Sequence, residues 1–159
     1  MQMRGVIIGA AFAIIGAGVA VYGIGEVKKA RATMNWPSTQ GRVIRSEIVR
    51  YPASKIDQPD TYGPAVEYEY VSNGRKLTGN NISFGVTGAS ESNHGFADDY
   101  VAKYPAGKAI NVFFDPANPQ ESVLERGASG KTYISLGIGL IFVITGCFFT
   151  VIFWLMPKT

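Results

Sequence analysis

Residues 65–71 read Ala-Val-Glu-Tyr-Glu-Tyr-Val, and Ser72-Asn73-Gly74-Arg75 follows at once. Val66, Tyr68 and Tyr70 share one parity and Glu67 and Glu69 the other, the period-two pattern of a strand with one face in a core and one in water. Asn73-Gly74 accepts the positive φ values of a tight hairpin, so the chain is expected to double back antiparallel. The expected return strand, Arg75 to Phe84, carries Leu77 on one parity and Ile82 with Phe84 on the other. That mismatch predicts a bulge near Gly79-Asn80.

The neighbouring segments extend this hairpin into a small domain. Upstream, Thr39 to Tyr51 is rich in β-branched residues and reads as a strand of imperfect alternation, and Pro52 to Pro64 reads as a loop. Downstream, Phe96, Tyr100, Val101 and Tyr104 recur at helical spacing. They predict a short amphipathic helix between Ala89 and Tyr104, starting after Gly95 in its shortest form and ended by Tyr104-Pro105 and Gly107. Lys108 to Asp115 is a further strand with Ile110, Val112 and Phe114 on one face. Asp115, Pro116 and Pro119 make a rigid turn, and Ser122 to Glu125 is a last short strand. Five strands and one helix fit a mostly antiparallel barrel of SH3-like or OB-like kind, or a sandwich.

Further out the composition changes. Gly5 to Gly25 carries no charged residue, and as a helix it reaches roughly 30 Å, the thickness of a bilayer's hydrocarbon core. Ile134 to Met156 does the same at the other end. The fold class is therefore an α+β membrane protein in which two transmembrane helices flank the β domain. Residues 1–35 are the first helix with its juxtamembrane extension, 36–127 the soluble β domain, and 128–159 the second helix. Met1 to Arg4 and Gly18-Val19-Ala20 have features of a signal peptide. The uncharged run is longer than a signal peptide's apolar part, which favours an uncleaved anchor. Gly5, Gly9, Ala13 and Ala17 recur every fourth residue, and Ser135 and Gly139 share that spacing, so these small residues are the expected helix-packing positions, within the chain or in a dimer. Lys28, Lys29 and Arg31 are placed to meet anionic headgroups, and Tyr133 and Trp154 sit near the ends of the second span, where amphipathic rings prefer the membrane interface. Trp36-Pro37 stops the first helix.

The chain has 159 residues and a net charge of +3. All twelve acidic residues lie between Glu26 and Lys131 with thirteen of the fifteen basic ones, so the middle segment shows no basic excess of the kind that marks a nucleic-acid binder. One cysteine, Cys147, excludes an intrachain disulfide. His94, the one histidine, reads as an exposed loop residue and a poor start for a transition-metal site. Asp98 and Asp99 are adjacent, so on a helix they point about 100° apart and do not face one substrate. Asp115 is expected to bond backbone amides of its own turn. Neither a nucleophile elbow nor a phosphate-binding loop is present, Gly85 to Gly88 included. The expectation is a protein that is not an enzyme and uses no cofactor and no metal.

Trp36 with Gly41-Arg42-Val43, the Val66–Tyr70 strand with its Asn73-Gly74 turn, and above all Tyr104-Pro105-Ala106-Gly107-Lys108 running into Val112-Phe113-Phe114-Asp115-Pro116-Ala117-Asn118-Pro119 and Ser122-Val123-Leu124-Glu125 together resemble a bacterial membrane-protein family, domain of unknown function 3592. The resemblance covers roughly Trp36 to Gly127, and the flanking helices match that family's layout. It implies a bacterial inner-membrane location and carries no catalytic residues.

The expected function is a membrane-anchored protein-binding or scaffolding module, an accessory subunit of a larger membrane complex. Its partners are membrane lipid and another membrane or membrane-associated protein. A partner is received by strand addition or surface contact, with Tyr51, Tyr62 and Phe96 as candidate anchors. A self-assembling small channel or transporter component with Ser135, Thr145 or Thr150 lining its axis, and a protector against a membrane-acting toxin, are the alternatives. Lys28, Lys29, Arg31, Arg126 and Lys131 outnumber Arg4 and Lys158 across the spans. That favours a cytoplasmic domain, with an extracytoplasmic one as the alternative.

Overall fold

The computed structural model describes residues 2–55, 57–86 and 90–155, the side chains of Gln2 and Arg4 excepted. Met156 at the expected end of the second span, Lys158 in the charge count, and Gly88 and Ala89 before the short helix lie outside the described residues. The chain forms two compact units, Met1–Lys28 with Gly130–Thr159, and Lys29–Ser129.

The first unit contains most of α1 (Gln2–Ala32) and all of α3 (Ile134–Leu155). Both belong to helices long and apolar enough to cross a membrane, Gly5–Asn35 and Gly130–Leu155. Small residues let the two backbones approach closely. A Cβ added at Gly146 stands 2.5 Å from the Ala13 amide nitrogen, and one added at Gly139 runs into that of Ala20. The contact line runs through Gly5, Gly9, Ala13, Gly16, Ala20 and Gly23, whereas Ala17 is exposed. A strict four-residue step advances about 40° per step around a helix, so the line leaves the seam unless three- and four-residue steps alternate. On α3, Gly139 lies on the seam and Leu136 takes the place of the half-buried Ser135, opposite Gly23. Phe12 stacks on Phe142 with ring centroids 5.6 Å apart.

The second unit is built on one antiparallel sheet. Its strands are β1 (Ser38–Tyr51), β2 (Thr61–Ser72), β3 (Arg75–Gly79), β4 (Ala109–Phe114) and β5 (Ser122–Val123), in the order β3-β2-β1-β4-β5. The β2–β3 turn forms as expected, with φ of 51° at Asn73 and 74° at Gly74. The expected bulge near Gly79-Asn80 does not occur. β3 ends at Gly79, and the irregularity lies instead in β1 between Val43 and Arg45. There one extra residue, the exposed Ile44, switches the parity of the strand, which accounts for its imperfect alternation. β2 also begins earlier than expected, taking Pro64 into register with Ile48. β3 pairs only with residues 68–72 of β2, so Pro64, which has no N–H, falls beyond the β3 ladder.

One face of the sheet carries the core: Val43, Val66, Tyr68, Tyr70, Ile110 and Val112, joined by Ile82, Val86, Tyr104 and Leu124. The short helix α2 (Gly95–Lys103) covers it, burying Ala97 and packing Phe96 and Tyr100 on the cluster. A second, smaller core of Ala30, Trp36, Phe84 and Val123 ties the last turn of α1 to the sheet, with Trp36 and Phe84 edge to face at 6.3 Å. The Thr33 hydroxyl donates to Ala30 O at 2.7 Å and accepts from the Gly127 amide at 2.8 Å. The two ends of the β domain are therefore joined to each other.

Of the two arrangements open from the sequence, the single curled sheet is the one adopted. Beyond β3 the chain meets the chain beyond β5, where the Leu124 and Glu125 amides donate to Ile82 O at 3.0 and 2.8 Å. This contact is why β3 stops early: residues after Gly79 leave the β2 ladder to join Leu124 and Glu125.

Candidate functional site

Curling brings the two edge strands together at one end only. At the closed end the Tyr68 hydroxyl donates to Asn81 O at 2.9 Å and lies 3.0 Å from Ser122 Oγ. Burial raises the Tyr68 phenol above its ordinary range, so it stays neutral there. Gly79 is required at this point, since a Cβ on it stands 2.6 Å from both Ser122 Oγ and the Tyr68 ring.

At the hairpin end the edges stay apart and enclose a cavity of about 500 Å³. Ser72, Asn73, Arg75 and Leu77 line one wall, and Asn118, Pro119 and Gln120 of the β4–β5 turn line the other. That turn is rigid. The Asp115 carboxylate accepts the Ala117 amide at 2.8 Å, and the Tyr70 hydroxyl donates to Pro119 O at 2.7 Å.

Two features of the cavity are chemical. Ser72 is 4 % exposed, and its hydroxyl has no hydrogen-bond partner among the described residues. Arg75 is exposed and in no ion pair among the described residues, whereas Lys76 beside it is held by Glu69 at 2.6 Å. The backbone adds a third feature. In a two-residue hairpin the flanking pair, Ser72 and Arg75, exchanges both ladder bonds. Arg75, Leu77 and Gly79 therefore turn their backbone groups toward β2, and Lys76 and Thr78 turn theirs away. β3 is the last strand on its side of the sheet, and among the described residues no strand pairs with its outer edge.

The residues singled out from the sequence fall mostly elsewhere. Asn73 and Pro119 are in the cavity wall, while Gly74, Pro105, Gly107, Asp115 and Pro116 shape turns. Lys29 is engaged by Glu121 at 3.2 Å, whereas Lys28 and Arg31 are exposed, as are Tyr133 and Trp154. His94 is exposed but not isolated, its ring stacked 3.7 Å from that of Tyr62. Among the candidate anchors, Tyr51 is exposed and Phe96 packs edge to face with Tyr100 at 5.4 Å. Asp98 and Asp99 are both exposed on α2. In the membrane-type helices, the Thr150 hydroxyl donates back to Gly146 O at 2.8 Å.

A second polar cluster centres on Glu125. Glu125 accepts Lys103 Nζ at 2.8 Å and the Tyr104 hydroxyl at 2.9 Å, and burial together with Glu125 raises the Tyr104 phenol. Among the described residues, no group of three His, Cys, Asp or Glu side chains is arranged to hold a metal ion.

Ser72, Arg75, Leu77, Asn118 and Gln120 were not legible as one site. One signal was present: in the register set by Asn73-Gly74, Arg75 faces Ser72 and has no acidic residue opposite it.

Residues 39–129 match a family described as a domain of unknown function, DUF3592. No curated protein matches the chain.

Proposed function

Because the chain belongs to the DUF3592 family, whose name assigns it no activity, we propose a function from the chemistry of its β domain: a membrane-anchored protein-binding module that takes an extended segment of a partner along the free edge of β3. The observation that carries this reading is the open gap between β3 and the β4–β5 turn, beside an outer β3 edge with which no strand pairs among the described residues, and with Ser72, whose hydroxyl has no partner among them, in its wall. Strand addition supplies main-chain hydrogen bonds, and the cavity wall supplies specificity.

In this reading the two apolar helices span the cytoplasmic membrane of a bacterium, and the module is an accessory subunit of a larger membrane complex. No catalytic step or cofactor belongs to it. The basic residues Lys28, Lys29, Arg31, Arg126 and Lys131 favour a domain on the cytoplasmic side. A cysteine introduced at Gln58 in a Cys147→Ser background reports that side: protection from a membrane-impermeant maleimide in intact cells is expected, and labelling reverses the orientation.

The binding reading is tested by photocrosslinking from the full chain in its own membrane. A benzophenone side chain placed at Lys76 or Gln120 is expected to join one defined segment of one partner, identified by peptide sequencing of the adduct. The same group at Arg50, at the far end of β1, is expected not to reach that segment. Adducts from Arg50 but none from Lys76 or Gln120 sink the proposal.

A further inference from the structure

We infer that the segment received at this gap carries an acidic side chain, held by the Arg75 guanidinium and the Ser72 hydroxyl. The inference rests on the strand-addition reading and names the chemistry of its partner.

Charge is the first argument. On β3 the neighbouring basic group, Lys76, is held by Glu69, and at the end of α1 Lys29 is held by Glu121 of the β4–β5 turn. Arg45, on the adjoining strand, lies between Glu47 and Glu67. Arg75 is in no ion pair among the described residues, and the cavity wall it belongs to contains no carboxylate. A guanidinium presents its donors as a planar fork that matches a carboxylate with two parallel hydrogen bonds.

Ser72 is the second argument. A hydroxyl buried without a partner is unfavourable, and Ser72, whose buried hydroxyl has no partner among the described residues, is in the wall of the cavity that Arg75 borders. As an O–H donor it complements the same carboxylate, and the Asn73, Asn118 and Gln120 amides offer further donors.

Position decides the source of the carboxylate. Arg75 is the first residue of β3, at the hairpin end of the gap, whereas the gap closes beyond Gly79 where Ile82 meets Leu124. A segment laid along β3 runs past Arg75 toward the open end, so the group it presents there is a side chain and not a chain terminus.

The test uses the full chain in detergent micelles and three pools of short synthetic peptides. One pool has a central Glu and an amidated C terminus. A second has Gln in its place, and a third keeps Gln but has a free C-terminal carboxylate. Binding is read from the backbone amide shifts of Lys76 and Thr78 and from the Arg75 side-chain Nε–H.

The Glu pool is expected to shift all three signals and to half-saturate at a concentration about ten-fold below the Gln pool, the worth of a charge-assisted hydrogen bond. R75Q is expected to erase that difference, and R75K to retain part of it. Equal binding of the Glu and Gln pools at Lys76 and Thr78 overturns the acidic-side-chain inference while strand addition stands. A free-terminus pool that binds as well as the Glu pool overturns the choice of source. No shift at Lys76 and Thr78 with any pool overturns strand addition itself.

Discussion

The two ends of the gap between β3 and β5 are made from the same pieces of chain and behave oppositely. At one end Ile82 accepts backbone amides from Leu124 and Glu125, and the Tyr68 hydroxyl joins Asn81 and Ser122. At the other, a few residues away along the same strands, the Ser72 hydroxyl has no partner among the described residues, and Arg75 and Leu77 line a cavity of about 500 Å³. The closed end satisfies its polar groups internally and spends them on the fold. At the open end the Ser72 hydroxyl and the Arg75 guanidinium are unmatched among the described residues. On the proposed reading, stability and binding are separated along one edge.

This separation predicts a graded set of effects, measured as urea unfolding of the full chain in micelles. The largest belongs to Gly79→Val, which drives a side chain into Tyr68 and Ser122 and is expected to cost about 3 kcal/mol. An unchanged midpoint would show that the closed end is not as tightly packed as its geometry implies. Next is Tyr68→Phe, which keeps the ring and removes only the bonds to Asn81 and Ser122, for an expected loss of about 1–2 kcal/mol.

A smaller effect is expected from the far end of the sheet. Arg50 Nε donates to the Asp60 carboxylate at 2.6 Å, and the Ala53 amide donates to it at 2.9 Å. The Ala53 amide first, then Arg50, holds Asp60 below its ordinary value of 3.8. Because the folded state favours the ionised form, this tie is in full force above that value. It is lost as pH falls through the lower folded value. Amide exchange around Ala53 is expected to quicken over that acid range while the Leu124 amide stays protected. If both quicken together, the loop and the closed end unfold as one unit.

The smallest effect, and the sharpest contrast, is Ser72→Ala. No hydrogen bond among the described residues is lost, so the midpoint is expected to move by no more than about 0.5 kcal/mol in either direction. Binding of the Glu-bearing peptides is expected to weaken. A loss comparable to that of Tyr68→Phe would mean that Ser72 serves the fold, and the two ends would no longer differ.

Much of the fold was readable in advance because its signals are local. Alternation in Val66–Tyr70, positive φ at Asn73-Gly74, and helical spacing from Phe96 to Tyr104 each act within a few residues. Pro64 and the return strand were misread for a non-local reason. Pro64 is tolerated because β3 is too short to reach it, and β3 is short because Ile82 bonds to Leu124. The helix seam shows the same limit. The small residues were visible, but the preference for Gly16 and Ala20 over Ala17 depends on the angle at which a second helix approaches.

The sequence by itself determined the two long apolar helices, the antiparallel β domain with its hairpin, and the family to which residues 39–129 belong. These follow from hydropathy, side-chain period and turn chemistry, all carried by neighbouring residues. Only the tertiary structure decided that the sheet closes at one end and stays open at the other, and that Ser72, Arg75 and Gln120 border one cavity. That outcome depends on how far a twisted sheet curls before its edges meet, a sum over all five strands that no single stretch of chain encodes.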